Sequence, residues 1–177
     1  MNEKIKRLLG DGLTFRLAID GRCGAGKTTL AGELAAQYGC AVIHLDDFFL
    51  PRGRDKEGFG NLEKDRLLKE VLLPLSKGEM ICYRKFCCAT QTYGELIVLP
   101  RGCSVILEGS YSLLPEFRFA YTHSLFLTVS PEEQRMRIIR RCGKEKWTAF
   151  ETRWIPDEEA YLAACDSESY ADLLLET

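Results

Sequence analysis

The most constraining feature of the chain is the stretch Gly21-Arg22-Cys23-Gly24-Ala25-Gly26-Lys27-Thr28, which fits the pattern G-x-x-x-x-G-K-[ST]. Glycines at these positions let the backbone turn tightly, so successive N–H groups point into one concavity. A helix opening directly after the turn adds its N-terminal dipole at the same point. Such a loop cradles phosphates. Average residue usage produces the pattern by chance in roughly one chain in a hundred of this length. Its context here agrees: residues 15–20 (FRLAID) are a short apolar run that reads as a strand, and residues 27–38 read as a helix. The pattern assigns Lys27 to the β- and γ-phosphates of ATP and the Thr28 hydroxyl to Mg²⁺, with residues 21–29, Thr29 included, wrapping the phosphates.

Downstream, short apolar runs alternate with helical stretches. Residues 41–45 form a second strand ending at Asp46-Asp47, and residues 52–60 read as a polar loop. Asn61 is placed to cap a helix running to about residue 72, which Pro74 closes. Residues 80–99 read as a hairpin laid over one edge. Residues 104–108 (SVILE) and 124–129 (SLFLTV) are further buried strands. Ser130-Pro131-Glu132-Glu133 supplies an N-cap, a proline at the first helical position and an acidic first turn, for a helix that stops at Gly143. Two short helices are expected next, then a fifth strand at residues 172–176. Continuous apolar strands alternating with helices predict an α/β fold, a parallel sheet covered on both faces.

In an open α/β sheet, ligands bind beyond the carboxyl ends of the strands. Asp46 and Asp47 end the second strand there, and Glu108 ends the third. Glu108, between an apolar run and Gly109, suits Mg²⁺, directly or through water; Asp46, beside Phe48-Phe49, suits a base that accepts a hydroxyl proton. The plain alternative is that these acids cap the next turn or helix. On the helix after the fourth strand, Arg137, Arg140 and Arg141 share one face at spacings of three and four. Arginines so placed can close over a transferring phosphoryl group as a lid around residues 135–150, or can form a solvated basic face.

Taken together, GRCGAGKTT, LDDFF, LEGSYSLLP, the arginine helix and RWIPDEEAY resemble the uridine kinase-like branch of small P-loop kinases, which includes phosphoribulokinase and one type of pantothenate kinase. The resemblance runs from about residue 14 to residue 176. It implies a three-layer fold with a five-stranded parallel sheet in the strand order of nucleoside monophosphate kinases, and phosphorylation of a hydroxyl by ATP with Mg²⁺. It implies that Asp46 is the catalytic base, that Glu108 lies near Mg²⁺, and that Arg137 and Arg140 are lid arginines touching phosphates. Phe48, Phe49 and Tyr83, with Arg84 beside it, would line the acceptor pocket in an acceptor-side insertion around residues 80–99. Uridine kinases carry Tyr-Asp-Phe and a nearby histidine where they grip the nucleoside. The corresponding CYRKFCCATQTYGE has neither, and the two histidines, His44 and His123, stand elsewhere. The expected acceptor is a small hydroxyl-bearing metabolite, a nucleoside first, with uridine itself left open. A nucleotide-dependent switch or binding module is the alternative, although no Asn-Lys-x-Asp motif occurs.

Composition sets outer bounds. A chain of 177 residues with 46% hydrophobic and 28% charged residues predicts a single kinase-sized domain over residues 1–177. The net charge of −2 offers no basic field for nucleic acid. No apolar run approaches the ~20 residues that span a bilayer, and the N-terminal stretch lacks the apolar core of a secretory signal. Eight scattered cysteines without a C-x-x-C pair read as reduced thiols in a cytoplasmic protein. Self-association is left open.

Overall fold

Five of the short apolar runs become one parallel sheet. Its strands are β1 (Arg16–Gly21), β2 (Ala41–His44), β5 (Val105–Glu108), β6 (His123–Thr128) and β7 (Leu173–Glu176), ordered β2-β5-β1-β6-β7. Counting only these strands, the order is 2-3-1-4-5, as the resemblance implied. The remaining two, β3 (Ile81–Cys87) and β4 (Thr92–Leu99), pair antiparallel as a separate hairpin. The structure, a computed structural model, describes residues 3–10, 14–53 and 58–177. Positions 54–57 of the expected loop, and positions 1–2 and 11–13 of the N-terminal stretch, lie outside the described residues.

The sheet is buried on both faces, which is why its strands are continuously apolar. Successive side chains on a strand point to opposite faces. On β5, Val105 and Leu107 join one core with Phe48, Phe117, Phe126 and Tyr161, while Ile106 joins the other with Leu17, Ile19, Ala31, Leu34, Leu125 and Leu127. Each fully buried Leu, Ile or Phe in these cores stabilises the fold by roughly 1.5–3 kcal/mol. The second core is closed by α1 (Glu3–Leu9) and α2 (Lys27–Tyr38). Across the sheet lie α3 (Lys64–Leu67) and α4 (Leu73–Lys77). After β6 the chain runs through α5 (Pro131–Cys142), α6 (Lys144–Ala149), α7 (Ile155–Cys165) and α8 (Ser167–Tyr170). Ser130 caps α5 as expected, its hydroxyl accepting from Glu133 N–H at 3.3 Å.

Three local expectations need correction. Asn61 caps nothing; it ties back to Leu50 through backbone and side chain, and Glu63 precedes the helix instead. Pro74 does not end that helix, which continues through a π turn, Leu68–Leu72, into α4 and stops at Gly78. Two helical segments follow Gly143 as expected, but only α8 is short; the first is a long run, α6 and α7 joined by a second π turn, Phe150–Trp154. Both π turns end two residues before a proline, Pro74 and Pro156. Proline gives no N–H and its ring crowds the carbonyl four residues back. A turn widened to the i→i+5 pattern gives that ring room without breaking the helix.

Candidate functional site

The site forms where the strand order reverses, over the carboxyl ends of β1 and β5. Gly21 must be glycine: its φ is +138°, and a Cβ there would lie 2.1 Å from Leu127 O. Gly24 and Gly26 also take positive φ, +79° and +89°, turning the loop back so that α2 starts at Lys27. The Lys27 ammonium curls into the loop, donating to Gly21 O at 2.6 Å, Arg22 O at 3.0 Å and Ser110 Oγ at 3.1 Å. Thr28 stands one residue on, in the first turn of α2. Thr29 follows it, and its side chain has no hydrogen bond within the described residues.

Strand register explains the acidic centre. Glu108 is level with Ile19 of β1 and with His44 of β2. It lies on the same face of β5 as Ile106, the face packed by α2, so it points at Thr28. Thr28 Oγ1 donates to Glu108 Oε1 at 3.1 Å, and His44 Nδ1 meets the same oxygen at 2.6 Å. That hydrogen bond to Glu108 is the main cause holding the His44 imidazole above its usual pKa. Gly109, at φ +144°, lets the chain leave β5 tightly against β2; a Cβ there would fall 2.7 Å from Leu45 Cβ.

Asp46 sits in the 3₁₀ turn Leu45–Phe48 that closes β2. Desolvation, then the nearby Glu108 charge, raises its carboxyl pKa above the ordinary aspartate value. Asp47 is turned the other way and accepts from Tyr83 Oη at 3.2 Å.

Asp20, at the end of β1, faces away from α2. It is fully buried and collects four donors: Gly21 N–H at 2.6 Å, Tyr111 N–H at 3.2 Å, Leu113 N–H at 2.8 Å and Tyr161 Oη at 2.7 Å. It thereby fixes the segment after Gly109 beside the phosphate loop. Burial pushes its pKa up against the pull of these donors.

The sequence-predicted residues divide into two groups. Lys27, Thr28, Glu108 and Asp46 converge at one end of the sheet. The acceptor residues do not all follow them. Phe48 is wholly buried and packs on Tyr83 at a 5.0 Å ring separation, and Tyr83 is only 2% exposed. Both are core residues, because the hairpin lies down on the 3₁₀ turn, and only half-buried Phe49 remains near the surface. Arg84 alternates to the outer face of the hairpin and donates to Gly94 O at 2.9 Å, away from Asp46. Arg137 lies behind the loop rather than over it: its guanidinium donates to Gly24 O at 3.3 Å and Thr177 Oγ1 at 3.0 Å and pairs with Glu133. Arg140 is exposed and has no polar partner among the described residues. Arg141 is exposed at the end of α5 and donates to Cys23 Sγ of the loop at 3.7 Å.

Residues not foreseen are Asp20, His44, Glu158 and Arg66. A charged residue closing an apolar strand was the one available signal for Asp20. His44 needed the β2–β5 register, and Glu158 and the Arg66 bonds to Asp47 and Arg84 depend on tertiary contacts that no local pattern announces. Arg66 donates to Asp47 O and Arg84 O, both at 2.7 Å, with its guanidinium 4.3 Å from the centre of the Phe48 ring.

No protein-family model matches the chain. A Pyrococcus furiosus protein described as "Putative adenylate kinase" is 42% identical over 55 residues, 31% of this chain and 28% of that relative's length. A structure titled "Structure of a Possible Uridine Kinase from Bacillus stearothermophilus" superposes with a TM-score of 0.70 over 98% of this chain and all of the other, at 18% identity. A shikimate kinase from Acinetobacter baumannii, in complex with shikimate, gives 0.54 over 93% of this chain and 84% of its own, at 19% identity. The chain has the fold of the small P-loop kinases. Among the described residues all eight cysteines are free, and no helix is long and apolar enough to cross a membrane.

Proposed function

We propose that the protein is a uridine kinase-like phosphotransferase that moves the γ-phosphate of ATP to a hydroxyl of a small metabolite, a nucleoside by first expectation. The observation that carries this reading is the convergence of Lys27, Thr28, Glu108 and Asp46 at the carboxyl ends of three neighbouring strands. The loop fits an anion: Cys23 N–H is already satisfied by a carboxylate, at 2.8 Å and 3.0 Å. The Thr28 hydroxyl and Glu108 carboxylate are hard oxygen donors that fit Mg²⁺.

In this reading ATP·Mg²⁺ supplies an activated phosphoryl group whose charge the metal partly neutralises. Lys27, freed from the loop carbonyls, holds phosphate oxygens. Glu108 and Thr28 hold Mg²⁺, and His44 keeps Glu108 turned toward α2. Asp46 accepts the acceptor's hydroxyl proton, and its raised pKa makes it a stronger base than an isolated aspartate. A single domain spans residues 1–177, with a lid around residues 135–150 and an acceptor-side insertion around 80–99. Of the lid arginines, Arg141 is the best placed to swing onto phosphate, and Arg140 is free to do so. The acceptor enters past Phe49 rather than past Phe48, Tyr83 or Arg84.

The test is transfer from γ-labelled ATP to a panel of nucleosides, pantothenate, shikimate and sugars. One member should be phosphorylated in a Mg²⁺-dependent manner, and Asp46→Asn should abolish that transfer while ATP still binds. Hydrolysis that no acceptor stimulates would overturn the reading.

A further inference from the structure

The first turn of α7 brings a carboxylate into the mouth of the phosphate loop. Glu158 is 3% exposed, and its two oxygens accept from Cys23 N–H at 3.0 Å and 2.8 Å. The Ser110 hydroxyl donates to Glu158 Oε1 at 2.6 Å, and Lys27 in turn donates to that hydroxyl. Next to it, Glu159 pairs with Arg22 of the same loop. Glu158 itself has no cation within ion-pair distance among the described residues. A buried carboxylate without a countercharge is costly, and it persists only where hydrogen-bond donors satisfy it. Here one donor, Cys23 N–H, belongs to a loop that by its pattern receives phosphate, and the other, Ser110, is the hydroxyl to which Lys27 donates, so one anion holds the seat of another.

We infer that Glu158 is an internal anion that occupies the phosphate cradle and is displaced when a nucleotide binds. The inference rests on the reading of residues 21–28 as a nucleotide site but not on any acceptor. It makes nucleotide binding a competition. Phosphate oxygens gain Cys23 N–H and the Lys27–Ser110 pair only when the Glu158 side chain withdraws. Withdrawal is local, because farther along α7 Tyr161 stays anchored to Asp20 and Ser167. Empty protein is thereby held with its cradle satisfied, and weak anions such as inorganic phosphate are excluded.

The experiment is isothermal titration of wild-type, Glu158→Gln and Glu158→Ala proteins with ATP, ADP and inorganic pyrophosphate, each with Mg²⁺ and with EDTA. Removing the competing charge should tighten all three ligands by about tenfold, in the size range of one charge-assisted hydrogen bond. Pyrophosphate should respond as the nucleotides do, since the competition is for the phosphate seat. Circular dichroism and melting curves check that each variant is folded, and Glu158→Gln keeps the side-chain volume should Glu158→Ala not fold. Unchanged or weaker binding by folded variants would overturn the inference and mark Glu158 as a brace of the loop. Binding without any acceptor transfer would leave the inference standing and sink the kinase reading. If no protein binds nucleotide, both fall together.

Discussion

Tyr161 and Asp20 stand 141 positions apart in the chain and share a buried hydrogen bond, Tyr161 Oη to Asp20 Oδ2 at 2.7 Å. It ties α7 to the end of β1 through the same carboxylate that fixes the backbone at Tyr111 and Leu113. Ser167 extends the chain by donating to Tyr161 Oη at 2.7 Å. Tyr161→Phe removes one donor from a carboxylate that burial already raises in pKa.

The expected loss on Tyr161→Phe is about 1–3 kcal/mol, that of a buried acceptor left short of a donor. Its pH dependence has a definite sign. A raised folded-state pKa means that stability is present at acid pH and is lost as pH rises through that value. The variant moves the pKa of Asp20 further up, so its deficit relative to wild type should be larger at neutral pH than in acid. Urea melts at several pH values read this directly, and a pH-independent deficit would argue against an ionised Asp20 in the wild-type protein.

Gly109→Ala should be as damaging to function as to folding. At φ +144° an L-residue is strained, and the new Cβ would meet Leu45 Cβ at 2.7 Å. Leu45 is fully buried, so it cannot yield without moving the turn that carries Asp46. Backbone strain of this kind costs about 1–3 kcal/mol before the clash is counted. Thermal melting should show at least that loss. The separation of Glu108 from Asp46 should change too, so transfer activity should fall more than nucleotide affinity. Retention of full kcat would show that β5 and the β2 turn move independently.

The pH profile of transfer carries the signature of Asp46. Desolvation and Glu108 both raise its pKa, so it takes up a proton at higher pH than an isolated aspartate near 4. A base must be deprotonated, so kcat/KM, which reports groups of the free enzyme, should decline on acidification earlier than for an ordinary carboxylate. Glu108→Gln removes the second of those causes and should shift the acidic limb downward, alongside a weakened response to Mg²⁺. An acidic limb unmoved in that variant would remove Asp46 from the role of base.

Most of the sheet was legible because each of its five strands is a short apolar run bounded by a turn, and burial on both faces leaves no competing pattern. The helices were read less well. Pro74 and Pro156 look like terminators in one dimension, and only the π turns ahead of them show how the helix survives. In the site, Lys27 and Thr28 follow from a local pattern, and Asp46 and Glu108 from their place at strand ends. Phe48 shows that an aromatic beside an acid in sequence need not share its exposure: on the 3₁₀ turn Asp46 faces out and Phe48 faces the core. Glu158 and Tyr161 reach Cys23 and Asp20 across long stretches of chain and leave no trace in spacing, and for Arg66 the spacing shows only its pairs with Glu63 and Glu70, not its bonds to Asp47 and Arg84.

Arg66 and Arg84 offer a paired test of how the hairpin serves the site. Arg66 threads between the hairpin and the 3₁₀ turn, donating to Asp47 O and Arg84 O while stacking over Phe48 and, at 4.9 Å, Tyr93. Its remaining nitrogens pair with Glu63 and Glu70. One planar guanidinium fills all of these positions, which a lysine ammonium cannot do. Arg66→Lys should therefore loosen the turn that holds Asp46, lowering kcat several-fold and raising the KM of the acceptor, with ATP affinity little changed because none of the Arg66 partners belongs to the phosphate loop. Arg84→Ala loses only an exposed bond to Gly94 O and should stay within about 0.5 kcal/mol of wild type in stability, with activity intact. Steady-state kinetics on both variants decides the matter. A large acceptor KM effect from Arg84→Ala would return that side chain to the acceptor pocket, and a silent Arg66→Lys would mean that the hairpin does not set the position of Asp46.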